Sequence, residues 1–484
     1  MRSVSCSGIW TGEHEHPRGP CRIYISEGKV HHIEEIPSAP DGPFAIPGFV
    51  DAHCHFTWTG MEKLFTDLKG TSSADDFLQQ VSAAVSKDDT GRILRGYGFD
   101  ESGWSQARLP SLEELDGATG NRPAILVRIC GHTALVNSAM IELLPDGAPG
   151  LNEATGVISE GIIFHLSVLF PPEESVIKRA VENAARTALS TGVTGVCSFE
   201  YPATAEYLSG NGCPVDTCVF VYGMHLALMD EALISGSDGL KFFLDGSIGA
   251  ATAAVSGAYR NGASVKPILS AEEITGSMEL AEEYGRIPAY HAIGGGALKQ
   301  LVDSLTAFRR QTEEPFQTRV EHAEELLHCW PDEWDPELDT FVMQPNFVSR
   351  WQKPGGLYEK MLGKDRSRRF NPFRQVLDRG FTMCFGSDGM PFGPLKGLSG
   401  ATDHPQPGSR LSAGQALRAY TLDAASVCGF NSAAEPLSPG RVADIALLSA
   451  SPFEEKWDNI EIREVISKGE SAFGKDREGS GTAE

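Results

Sequence analysis

The chain predicts an α/β fold: a closed (β/α)8 barrel of the TIM type, a small β-sandwich domain built from both termini, and a large insertion after the first barrel strand. Three observations lead there. From Phe49 onward, short apolar runs alternate with amphipathic helical stretches such as residues 174–189, 271–284 and 413–420, the texture of parallel βα units. Eight such runs can be counted, at residues 49–55, 193–200, 215–222, 240–245, 287–291, 318–322, 340–344 and 381–388. At 484 residues, 41% of them hydrophobic, the chain can also bury a barrel core with a smaller domain beside it.

Residues 1–48 alternate apolar and polar positions in short bursts, Cys21-Arg-Ile-Tyr-Ile25 among them, broken by Gly and Pro. That is a small antiparallel sheet, too small to stand alone. Leu437 to Leu448 and residues 461–468 read as further strands, so residues 1–48 and 429–472 are expected to pair into one domain, with 473–484 a flexible tail. His31 and His32 belong to this sheet and are given no ligand role.

The barrel is expected to span 49–428. Between its first two strands lie residues 56–192, far beyond a normal βα connection. A segment that long must be a subdomain, with strands of its own near residues 92–98 and 124–130, and it is expected to form a lid or wall over the barrel mouth.

Catalytic groups of such barrels lie at the C-terminal strand ends, where the βα loops converge. Strand one runs Ala45-Ile-Pro-Gly-Phe-Val-Asp-Ala-His-Cys-His55, and alternation along a strand points His53 and His55 the same way, so both can ligate one ion. Strand four carries Lys241, strand five ends in His291, strand six in His322 and strand eight in Asp388. Each alone has an ordinary explanation as a strand-edge or loop residue. Six residues of metal-site type on five strands of one barrel point jointly to a metal centre. Lys241 sits early in its run, so either its side chain reaches up to the mouth or the boundary of strand four is off by a few residues.

A formal net charge of −24 argues against nucleic-acid or anionic-membrane partners, which it would repel. Met1 to Glu13 holds no apolar run of signal-peptide length, and no segment reaches eighteen apolar residues without charge. Ten cysteines without regular spacing suit reduced thiols, so a cytoplasmic location is expected. Self-association as a homo-oligomer stays open.

The ordered set His53-x-His55, Lys241, His291, His322 and Asp388 resembles the binuclear amidohydrolase superfamily. Three stretches narrow the resemblance: Gly98-Phe-Asp-Glu-Ser-Gly-Trp104, Arg128-Ile-Cys-Gly-His-Thr-Ala-Leu-Val-Asn-Ser138 and Leu240-Lys-Phe-Phe-Leu-Asp-Gly-Ser-Ile-Gly249. With Gly386-Ser-Asp-Gly389 they are similar to amidohydrolase family 3, the branch of the YtcJ-like proteins and N-substituted formamide deformylases. The branch's His-Asp pair after strand two is missing here, where Gly192-Val-Thr-Gly-Val-Cys-Ser198 is followed by Phe199-Glu200. Glu200 either supplies an acid at the mouth or, the favoured reading, pairs with a loop arginine.

The resemblance implies a metal-dependent hydrolase of a C–N bond in a small-molecule amide, formamide or cyclic amide, acting through a metal-bridging hydroxide. His53, His55 and Asp388 would hold one divalent ion, zinc by donor type, and His291 and His322 a second, with Lys241 carbamylated between them. Asp388 would be the catalytic base and then acid. His132, Asn137 and Trp104 in the insertion are candidates for substrate contact; His132 and Asn137 serve equally as turn or cap residues, and Arg128 as a buried ion-pair partner. A deaminase or esterase on the same centre, and a non-catalytic scaffold of the same fold, are the alternatives.

Overall fold

Val193–Glu200 shows why the barrel strands form: all eight of its side chains are buried, which suits a strand covered on both faces. It is one of eight parallel strands, labelled here β1 (Phe49–Cys54), β2 (Val193–Glu200), β3 (Asp216–Tyr222), β4 (Gly239–Phe243), β5 (Ile287–Ala292), β6 (Thr318–His322), β7 (Asp339–Met343) and β8 (Thr382–Phe385). They pair in sequence order into a single eight-stranded sheet. After β8 the chain returns to β1, where Asp388 N–H donates to His53 O at 2.7 Å and Ser387 N–H to the Asp51 carboxylate at 2.8 Å, so the barrel is nearly closed. The computed structural model describes residues 1–474 except 105, 107, 130, 132, 160, 230, 313 and 329–332.

Helices follow the strands. Those used below are α1 (Ala271–Glu283), α2 (Gly295–Arg309), α3 (Pro345–Trp351) and α4 (Leu395–Thr402). Ser270 opens α1 with a capping box to Glu273. Gly294 opens α2 where a Cβ would lie 2.2 Å from the Ala254 backbone, so this turn tolerates only glycine and fixes the loop after β4 against the loop after β5.

The chain divides into two compact units, Met1–Phe56 with Ala185–Glu200 and Asn211–Glu484, and Thr57–Ala184 with Tyr201–Gly210. Besides the barrel, the first holds two small sheets. Arg2–Cys6, Cys21–Ser26 and Lys29–Glu35 form an antiparallel meander. Gly8–Ile9 and Phe44–Pro47 join Ile445–Leu448, Ile462–Ser467 and Glu470–Gly474, so the two chain ends share one sheet, as expected. Ile23, Ile25 and Val30 of one sheet and Ala45, Ile445 and Ile466 of the other close a common core. His31 and His32 are exposed on the meander.

The second unit carries a six-stranded sheet with Ala124–Arg128 near its middle. Strand alternation sends Ala124 and Leu126 into a core with Phe77, Phe99 and Trp104, and Ile125 into another with Val136 and Met140.

One buried base outside the site makes a stability prediction. His404, two residues beyond α4, is 0% exposed and its ring meets Phe373 edge-on at 5.7 Å. Burial pushes it from 6.5 down to about 4. The unfolded chain therefore binds the proton more readily, so His404's contribution is whole above about pH 6.5 and is lost as the pH falls towards about 4, by up to about 3 kcal/mol. Urea midpoints measured across that window are expected to fall less steeply for His404→Gln than for the wild type.

Candidate metal centre

β1 delivers the first pair. His53 is 1% exposed, His55 lies just past the strand end, and their Nε2 atoms stand 3.4 and 3.0 Å from Asp388 Oδ1. One ligand atom from each of the three residues lies within 4.8 Å of the others. Gly386 makes the approach of β8 to β1 feasible, since a Cβ there would sit 2.3 Å from His53 N.

His291 and His322 complete a cluster of rings, with centroids 4.4 Å apart and His322 4.8 Å from His53. His322 has φ +73°, a left-handed conformation rare for a non-glycine residue. The physical reason lies in the pleat: β6 already points Arg319 and Glu321 one way, and the turn at His322 breaks the alternation as the strand ends. Asp388, at φ +53°, makes a similar turn beyond β8.

Each histidine has one nitrogen engaged, which decides what the other can do. Glu321 Oε2 lies 2.6 Å from His53 Nδ1 and Gln344 Oε1 2.7 Å from His322 Nδ1, and both oxygens accept, so both Nε2 atoms keep lone pairs. The Gly246 carbonyl accepts from His291 Nε2 at 3.1 Å, leaving Nδ1. Tyr222 OH bonds His55 Nδ1 at 3.0 Å. Burial, reinforced by the charge of Lys241, pushes His291 down to about 3. Burial with His291 and His53 carries His322 well below its usual value, so both rings are neutral, the form that binds metal. For Asp388 burial favours the acid form, but the facing His53 and His55 rings outweigh it and hold the carboxyl well below the usual range.

Lys241 supplies the test of fit. It is 1% exposed, its Nζ lies 4.1 Å from the centroid of the Phe199 ring, and among the described residues it has no hydrogen-bond partner. Burial pulls it down to about 8 against the opposing pull of Glu321 and Asp388. A buried amine without a partner, among four imidazoles and a carboxylate, fits a site that takes divalent cations with Lys241 in anionic form. β4 ends at Phe243, not 245, so Lys241 is two residues from the strand end.

The residues that orient these ligands were not singled out from the sequence. Arg319 Nε pairs with Glu321 Oε1 at 3.0 Å and its Nη2 donates to Ala52 O at 2.8 Å, all at or below 3% side-chain exposure for the pair. Burial alone would raise Glu321, yet Arg319, His53 and Lys241 together hold it at about 2. The available signal was Arg319-Val-Glu321, two charges at period two inside a buried strand. Asp245 accepts from the N–H groups of Ala254, Ile293 and Gly294 at 2.8–2.9 Å, tying the β4 and β5 loops beside His291. Glu321→Gln keeps an acceptor for His53 but loses the charge, and is expected to weaken zinc binding about 10–100-fold in a competitive chelator titration.

Residues 41–473 match the model of the amidohydrolase family. The chain belongs to that family. It is 24% identical over 516 residues to the putative amidohydrolase YtcJ of Bacillus subtilis (strain 168), covering 94% of this chain and 96% of that one. It is 23% identical over 466 residues to the N-substituted formamide deformylase of Arthrobacter pascens, covering 85% and 84%. The fold matches the crystal structure of an uncharacterized metal-dependent hydrolase from Pyrococcus furiosus with a TM-score of 0.74 at 24% identity, over 93% of this chain and 99% of that one. As an amidohydrolase-family member the protein is a hydrolase whose site fits divalent metal.

The remaining candidates take other places. Asn137 is 0% exposed and fully engaged: it caps residues 138–141 through Met140 N, accepts from Ala124 N, and donates to Thr119 and Arg122, so it acts as the cap rather than as a substrate contact. Trp104 is 6% exposed in the Phe77–Phe99 core, which corrects its reading as a candidate for substrate contact. Arg128 is the expected ion-pair partner, of Asp100 and Glu101. His132 lies outside the described residues. Glu200 is 3% exposed and accepts from Ser198 Oγ at 2.5 Å.

Proposed function

We propose that this hydrolase cleaves the C–N bond of a small-molecule amide, an N-substituted formamide being the leading case, at a zinc centre held by His53, His55, His291, His322, Asp388 and Lys241. The observation that carries the reading is the arrangement of four imidazoles, each fixed by a neighbour on one nitrogen, around Asp388 and an orphaned buried lysine. The formamide deformylase relative supports the choice of bond.

Burial that favours the neutral amine of Lys241 also favours its addition to carbon dioxide: the Nζ–C bond forms, a proton leaves, and the carbamate offers two anionic oxygens where an ammonium offers none. Bound divalent ions supply Lewis acidity and lower the pKa of coordinated water. Asp388, held ionised by His53 and His55, accepts the proton of the attacking water and returns it to the departing nitrogen. Glu321 and Gln344 keep the imidazoles in register through that transfer.

The eight described cysteines are all free, and among the described residues no helix is long and apolar enough to cross a membrane; both observations support a cytoplasmic enzyme. A screen of the zinc-loaded protein against N-substituted formamides, N-acyl amino acids, cyclic amides and simple esters tests the reading. Amine release from an amide is expected. Ester cleavage alone, or ammonia release from an amino-heterocycle alone, would replace it with the esterase or deaminase alternative.

A further inference from the structure

A cavity of about 350 Å³ opens between α3 and α4, apart from the ring of histidines. Its lining is chemically narrow. Arg350 and Lys353 come from the end of α3 and the turn after it, Lys396 and Ser399 from one face of α4, and Asp458 from the short helix Trp457–Asn459. Three cations thus face a single carboxylate, in a chain with 65 acidic and 41 basic residues.

The carboxylate is already engaged, since Lys396 Nζ lies 2.7 Å from Asp458 Oδ1. Among the described residues Arg350 and Lys353 have no ion pair within 4.0 Å; Arg350 only stacks over the neighbouring Trp351 ring at 5.2 Å. α4 adds a second, independent imbalance. Pro394 gives it no side-chain cap, its first turn holds no acid, and Lys396 sits in that turn, where a cation opposes the helix macrodipole. An anion bound there would give Arg350 and Lys353, which have only Asp458 at longer range and the Trp351 ring, a close counter-charge and offset the helix end together.

We propose that this cavity binds a small phosphate-bearing anion. Its volume of about 350 Å³ leaves room for more than a bare phosphate, in a groove open to solvent. The cavity also touches the catalytic framework. Pro391 in its wall is three residues past Asp388, within about 11 Å along the chain, and its carbonyl is held by Asn346 Nδ2 at 2.7 Å. Gln344, which orients His322, immediately precedes α3. The inference stands apart from the identity of the hydrolysed bond.

Calorimetric titration of the full-length, zinc-loaded protein with inorganic phosphate at low ionic strength is the test. Sulfate serves as a second probe, being a weaker ligand for divalent metals. Saturable binding of both with Kd of about 1 mM or tighter is expected. It should weaken at least about tenfold in Arg350→Glu/Lys353→Glu, with zinc content and unfolding midpoint unchanged because both side chains are exposed. The milder Lys353→Ala should weaken it about two- to fivefold. No saturable binding overturns the proposal. So does equal binding to wild type and both variants, which would place the anion elsewhere, the metal centre included.

Discussion

Asp388→Asn is expected to lower turnover of the amide substrate by about 10²–10⁴-fold. The side chain keeps its shape and one oxygen donor for metal, but it can no longer take up the proton of the attacking water or return it to the leaving nitrogen. The structure makes this substitution informative because Asp388 Oδ1 faces the Nε2 atoms of both His53 and His55 and is the one carboxylate among the proposed ligands. Turnover and zinc stoichiometry should be measured on the same preparation. Loss of activity with much of the metal retained assigns the proton transfer to Asp388. Near wild-type hydrolysis would remove that role.

Lys241→Met separates ligand from filler. In the metal-free chain the Nζ is buried and unpartnered, a state that costs about 1–3 kcal/mol, and methionine removes the amine while filling similar space. The metal-free variant is therefore expected to unfold at a higher temperature than the metal-free wild type. Zinc should reverse the order: it stabilises the wild type by mass action on the folded state and does so far less in the variant, which has lost the proposed bridging ligand. Calorimetric scans of both proteins with and without zinc read this crossing. Equal zinc-induced shifts would make Lys241 a packing residue.

The candidate ligands were legible as a cluster because histidine, lysine and aspartate are conspicuous where apolar strands end, and the barrel gathers those ends at one mouth. The groups that tune them were not. Glu321 reaches His53 across 268 residues of sequence and Gln344 reaches His322 across 22, pairings set by strand order and register and not by local pattern. The end of β4 was misjudged by two residues because Leu244 continues the apolar run up to Asp245, a stretch that the fold has already turned into a loop. Asn137 shows a second kind of ambiguity: a polar residue before a short helix reads alike as cap and as contact, and only its burial and four hydrogen bonds decide. The sheet built from both termini was readable from alternation alone. The helix Pro202–Gly210 groups with the inserted unit, which nothing in its own sequence announces.

Metal content bears most directly on all of this. Elemental analysis of the purified protein after dialysis is expected to find one to two tightly held divalent ions per chain, falling to background in His53→Ala/His55→Ala. Less than one ion per chain in the wild type, or an unchanged content in the double variant, would contradict the metal centre and leave the barrel as a scaffold.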